Sequence, residues 1–222
     1  MNLKQLCQSL ESELDVLFQE LRSGITARED SRAFGAMIER RITQYWPEIC
    51  VKHGFDALDI PGRRTIFDFA FRLESHIVGI DVKTKDLDSA RYSDGGICAV
   101  GNLLKYLVND NGIFLIAEFG HNESSGKAGT RDLEYIRVAP FTLLPANCYR
   151  IENLGTGQVR LNYTLNQVWD EIEWDRDANS FYDVFTDLAI AHYQRVGRDA
   201  QKRIDSIIAF KKSGYAKFAF TR

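Results

Sequence analysis

The chain has 222 residues, 45% of them hydrophobic, with four Cys, four Pro and a formal net charge of −3. These values suit one compact globular domain with a full core, and they exclude extensive disorder and a disulfide-stapled scaffold. No apolar run approaches the roughly 20 residues of a membrane span. Met1–Gln8 is polar and helical in pattern rather than signal-like, and Cys7, Cys50, Cys98 and Cys148 form no CxxC pair, so a reduced, cytoplasmic protein is expected.

Leu3, Leu6, Leu10, Leu14, Leu17, Phe18 and Leu21 recur at helical spacing and predict an opening helix whose stripe is a candidate dimer contact. Asp30 or Ser31 can cap a second helix carrying Phe34, Met37, Ile38, Ile42, Tyr45 and Trp46, with Pro47 marking its end. Two strand-like runs follow, Arg64–Leu73 and His76–Thr84, then a helix over Gly96–Asn109 and a buried strand over Gly112–Phe119. Asn122–Gly129 reads as a flexible loop. Further strands are expected at Leu133–Ala139, Asn147–Glu152 and Gln158–Tyr163, and closing helices at Ser180–Gln194 and Arg198–Lys212. This order predicts an α+β fold, a mixed sheet flanked by helices.

Charge is distributed unevenly. Leu165–Asp187 holds seven acids against one base, while Arg195–Arg222 holds eight bases against two acids. Net charge is therefore a poor guide to a nucleic-acid partner, although such runs are also ordinary solvated helix faces.

Asp68, in Thr65–Phe71, and Asp81, in Gly79–Lys83, each interrupt an apolar strand, where a carboxylate is costly unless paired or bound to a cation. Alternation puts Phe67, Phe69, Phe71 and Leu73 on one face of the first strand, and Asp81 and Lys83 together on one face of the second. A tight turn at Glu74–Ser75 would set Asp68 directly opposite Asp81, with Cβ atoms roughly 5 Å apart. Two hard oxygen ligands at that spacing suit Mg²⁺ with water and phosphate, and Lys83 can hold a phosphate oxygen, which is equipment for metal-assisted phosphodiester hydrolysis. The bland alternative is a buried Asp–Lys ion pair.

Asp68, followed thirteen residues later by Asp81-Val82-Lys83, resembles the PD-(D/E)xK nuclease signature, and the Asp-Val-Lys-Thr run resembles that of blunt-cutting type II restriction endonucleases of the HincII/EcoRV type. The resemblance implies a restriction-endonuclease-like core spanning 1–222. Residues 1–47 would serve dimerisation and support, 60–140 catalysis, 147–163 DNA reading, and 179–213 would form C-terminal helices. It implies that Asp68, Asp81 and the Val82 carbonyl hold the metal, that Lys83 orients the attacking water, and that Glu39, in Gly35–Glu39, is a further active-site carboxylate. Mg²⁺ would be the cofactor, with Mn²⁺ able to substitute and Ca²⁺ supporting binding without cleavage. The partner would be double-stranded DNA, cut at a short palindromic site by a homodimer and protected by a cognate methyltransferase.

Asn153, Gly155, Thr156, Gly157 and Gln158 form a candidate base-reading turn, since Asn and Gln can bond adenine and Gly admits the backbone to a base edge; the same residues also suit a plain hairpin turn. Lys85, Lys127 and Arg131 are candidate phosphate or groove contacts. Two other readings remain open: another nuclease with the same core, acting in repair, junction resolution or transposon-end cutting, and a non-catalytic DNA-binding protein. No metal-binding His/Cys spacing, P-loop or nucleophile elbow is present.

Overall fold

The computed structural model describes residues 2–22, 31–59, 65–89, 96–124, 129–152 and 157–212. Its helices are α1 (Leu3–Leu17), α2 (Gln19–Arg22), α3 (Ser31–His53), α4 (Val100–Asn109) and α5 (Ala178–Lys212). Its strands are β1 (Asp56–Ala57), β2 (Phe69–Leu73), β3 (His76–Asp86), β4 (Gly96–Ala99), β5 (Gly112–Glu123), β6 (Arg131–Pro140), β7 (Tyr149–Glu152) and β8 (Gln158–Leu161). They form a five-stranded mixed sheet in the order β1-β2-β3-β5-β6 and a three-stranded antiparallel sheet in the order β4-β8-β7. The fold is α+β, with helices flanking a mixed sheet. Among the described residues no helix is long and apolar enough to cross a membrane.

The large sheet is apolar on both faces, which gives the molecule two cores. On one face Phe69, Phe71, Val78, Ile80, Val82, Leu115, Ala117 and Phe119 pack under α1 and α3. On the other, Phe114, Ile116 and Ala139 pack under α4, the small sheet and the first half of α5. β3 and β5 run parallel; such a pair needs a crossover, here supplied by β4 and α4. The α1 stripe Leu6, Leu10, Leu14 is buried within the first core, so the surface expected as a dimer contact is occupied by the chain's own sheet. Glu11 on α1 also closes the sheet edge: its carboxylate accepts from the Val138 N–H (3.1 Å) and from Arg137 (2.9 Å).

Several boundaries differ from expectation. α3 continues through Pro47 to His53. Its second half is held by packing, with Ile49 and Cys50 buried and Trp46 packed at a tilt against Phe69 while its indole N–H donates to the Ala70 carbonyl. These contacts outweigh the roughly 3 kcal/mol that an interior Pro costs. The expected helix over Gly96–Asn109 is a strand followed by a helix, because β4 pairs with β8 far along the chain. The two closing helices are one continuous α5, with Gly197 inside it.

Candidate functional site

The β2–β3 hairpin has the expected register, from Phe69↔Ile80 to Leu73↔His76, around a turn in which Glu74 takes a left-handed φ of 55°. The register stops one residue short of Asp68. There the chain bends, and the Asp68 N–H donates to the Ile80 carbonyl at 2.8 Å instead of continuing the ladder. Alternation is broken too: Phe67 turns to the opposite face, against Tyr106 and over Gly79. A Cβ on residue 79 would lie 2.4 Å from the Phe67 ring and 2.8 Å from the Tyr106 hydroxyl, so this crossing requires Gly. Asp68 is thus not a directly opposed ladder partner of Asp81. Its Oδ2 accepts the Val82 N–H at 2.7 Å, filling the hydrogen-bond position that β2 leaves empty. The N–H and C=O of one strand residue point to the same side, so the Val82 carbonyl also faces the gap beside Asp68.

Asp81 is 5% exposed, on the β3 face that lies under the second core. Lys83, two residues on and on the same face, donates its ammonium to Asp81 Oδ1 at 2.7 Å. Asp81 Oδ2 is buried with no hydrogen-bond partner. Burial pushes the Asp81 carboxyl up to about 7, Lys83 opposes that shift, and the charges of Asp68 and Glu39 add to it. Glu39 approaches from α3, where Gly35 lets the helix pass close to β3: a Cβ at residue 35 would lie 3.2 Å from Thr84 Oγ1. Partial burial raises the Glu39 carboxyl, with Asp68 adding and Lys83 opposing. Glu39, Asp68, Asp81 and Lys83 therefore form one electrostatic cluster. Thr84 itself faces α3 rather than the cluster.

Burying a carboxylate oxygen without a donor costs on the order of a few kcal/mol. A divalent cation at Asp81 Oδ2, sharing Asp68 and the Val82 carbonyl, would satisfy it with hard oxygen ligands suited to Mg²⁺. Among the described residues no group of three or more His, Cys, Asp or Glu side chains gathers as a metal site. The donor set on offer is two carboxylates and one backbone carbonyl, with positions left for water and phosphate.

Beside the cluster, a cleft of about 650 Å³ is lined by Phe67, Ile97, Cys98, Asn102, Lys105 and Tyr106, among others. Cys98 is near enough to Asp81 and Lys83 for both charges to act on its thiol, which burial pushes up to about 12. Lys85, one alternation past Lys83, lines a second cleft of about 620 Å³ with Asn122, Arg137, Asn166 and Gln167.

The other sequence candidates are spread more widely. Arg131 forms ion pairs with Asp86 (3.2 Å) and Asp88 (3.8 Å) at the far end of β3. Gly157 takes φ 71° and its carbonyl accepts the Val100 N–H, which starts α4. Gln158 pairs with Ala99, and its amide lies over Gly96. Asn153, Gly155, Thr156 and Lys127 lie outside the described residues.

Sequence reasoning passed over Glu118. It is the one charged residue in the apolar run Gly112–Phe119, 2% exposed and on the same sheet face as Asp81 and Lys83, registered with Lys83. Its Oε1 accepts the Tyr135 hydroxyl (2.9 Å) and the Leu165 N–H (2.8 Å), and burial pushes its carboxyl up to about 7. These partners make it a tie between β5, β6 and the segment after β8; a lone acid in a buried strand was the signal for it. No protein-family model matches the chain, and no curated protein matches its sequence.

Proposed function

We propose that the chain is a Mg²⁺-dependent endonuclease of the PD-(D/E)xK type, acting as a type II restriction enzyme on double-stranded DNA. The observation that carries this reading is the partnerless, buried Asp81 Oδ2, on a carboxylate that accepts from the Lys83 ammonium and feels the charges of Asp68 and Glu39. A plain Asp–Lys ion pair would leave that oxygen without a donor and would not bring Asp68 and Glu39 toward it.

In this reading Asp68, Asp81 and the Val82 carbonyl would hold the metal, and a bound Mg²⁺ would supply polarisation of the scissile phosphate and a lowered pKa for water. Lys83 holds the attacking water by a hydrogen bond and offsets charge on the pentacovalent phosphorus. The water oxygen bonds to phosphorus as its proton passes to solvent, the P–O3′ bond breaks, and O3′ takes a proton from solvent, so the products carry a 5′-phosphate and a 3′-hydroxyl. Glu39 adds a carboxylate from the α3 side. Lys85 extends the positive line along β3 toward the second cleft and a DNA phosphate. A duplex cut in both strands at a palindromic site calls for two subunits related by a two-fold axis.

Incubation of the purified chain with unmethylated phage DNA and Mg²⁺ tests the reading. Discrete fragments support it, whereas random or structure-selective nicking points to a nuclease of other biology with the same core. No cleavage by folded protein points to a non-catalytic DNA-binding protein.

A further inference from the structure

α5 is 35 residues long, and its two halves differ. Phe181, Phe185, Ala189 and His192 are buried against the second core. From 197 to 209 every residue is exposed, so the helix runs on past the body of the molecule. That free segment is not uniformly polar. Ile190, Ile204 and Ile207 are 54%, 49% and 66% exposed, and with Tyr193, Gly197 and Ala200 they fall at alternating intervals of three and four residues. This 190-193-197-200-204-207 series is a coiled-coil seam about two and a half heptads long; at its first end the Tyr193 hydroxyl lies over Gly157 of the body while Tyr193 stays 43% exposed, and from Gly197 on the seam is exposed throughout. Ile208 widens the seam, while Arg195, Arg198 and Lys202 keep to the outer side.

We propose that this seam is a self-pairing surface, through which two copies of the chain join as an antiparallel coiled coil across residues 190–208. The order of side chains along the seam sets the direction. A two-fold axis between Gly197 and Ala200 pairs Ile190 of one copy with Ile207 of the other, and Tyr193 with Ile204. The smallest residues then meet at the crossing, where the backbones approach most closely, and the large ones fill the layers on either side. Charge selects the same direction. Antiparallel pairing lays the acidic first half of α5, with Asp183 and Asp187, beside Lys211 and Lys212 of the other copy, whereas parallel pairing would stack each run on its like. A second copy supplies what the free segment lacks, since a helix without a packed face is marginal in water. Nothing in this surface depends on the nuclease reading.

Sedimentation of the full-length chain at micromolar concentration should show a dimer. The double variant Ile204→Glu/Ile207→Glu should sediment as a monomer, its dissociation constant raised at least a hundredfold, with the near-ultraviolet circular dichroism of the body unchanged because both positions lie off it. A monomeric wild-type chain, or a double variant that remains dimeric, would overturn the proposal. Direction is read by cysteine cross-linking. Oxidising a mixture of Ile190→Cys and Ile207→Cys chains should give a covalent dimer, while neither alone should, because like positions lie about 25 Å apart along the pair. Cross-linking of Ile207→Cys with itself would refute the antiparallel arrangement.

Discussion

Asp81 and Lys83 carry opposite obligations in one buried pair. Asp81→Ala should lower cleavage by on the order of a thousandfold or more while leaving the fold intact, because on the proposed reading it removes a metal ligand rather than a packing residue. Near-wild-type cleavage by that variant would sink the active-site assignment. Lys83→Ala should abolish cleavage yet retain divalent-metal binding by calorimetry; lost metal binding would contradict the division of roles between the two. Ca²⁺ in place of Mg²⁺ should support DNA binding without cutting. Glu118 offers a test that needs no substrate. Its carboxyl, ordinarily near 4.5, is pushed up to about 7 by burial, so between those values the folded chain keeps a proton that the unfolded chain releases. Its contribution is therefore complete below pH 4.5 and is lost as pH rises through 7, by up to ~3 kcal/mol. Asp81 acts in the same sense. Glu118→Gln keeps an acceptor oxygen for Tyr135 and Leu165, so urea unfolding at pH 5 and pH 8 should show a smaller decline in stability than wild type. An equal decline would mean that Glu118 is not the titrating group.

At the scale of elements, local pattern located nearly every helix and strand, and non-local pairing decided where they stop. The β2–β3 register was legible because alternation and a two-residue turn fix it together. The bend at Asp68 was not, because it depends on a side-chain carboxylate taking the place of a strand at the Val82 N–H. Likewise β4 is a strand only because β8 lies beside it, and α3 passes Pro47 only because Trp46 and Ile49 have a sheet to pack on. The α1 stripe was legible as apolar, but not its destination, which is the sheet rather than a second subunit. Leu10, 1% exposed in that core, gives the corresponding prediction. Leu10→Ala should cost about 2–5 kcal/mol in urea unfolding. A cost under about 1 kcal/mol would mean that α1 is not packed as described.

At the scale of the molecule, the carboxylate–lysine cluster was the most legible part of the candidate site: Asp68, Asp81 and Lys83 were chosen from the sequence, and the fold brings them together with Glu39. Glu118 and the α5 seam were less so, because each takes its meaning from what packs beside it or fails to. The net charge of −3 conceals a chain whose basic residues gather late. DNA affinity should fall steeply with salt and rise with divalent metal, which would supply positive charge at a site now dominated by carboxylates. Gel-shift titrations with Ca²⁺ across a salt series would check this, and salt-independent binding would count against a phosphate-tracking surface. The central claim meets its most direct test in run-off sequencing of unmethylated phage DNA treated with Mg²⁺ and either wild-type chain or Asp81→Ala. Cuts at one short palindromic sequence, made by wild type and absent with the variant, are the predicted result. Intact DNA with folded wild-type protein, or the same cuts with both proteins, would contradict it.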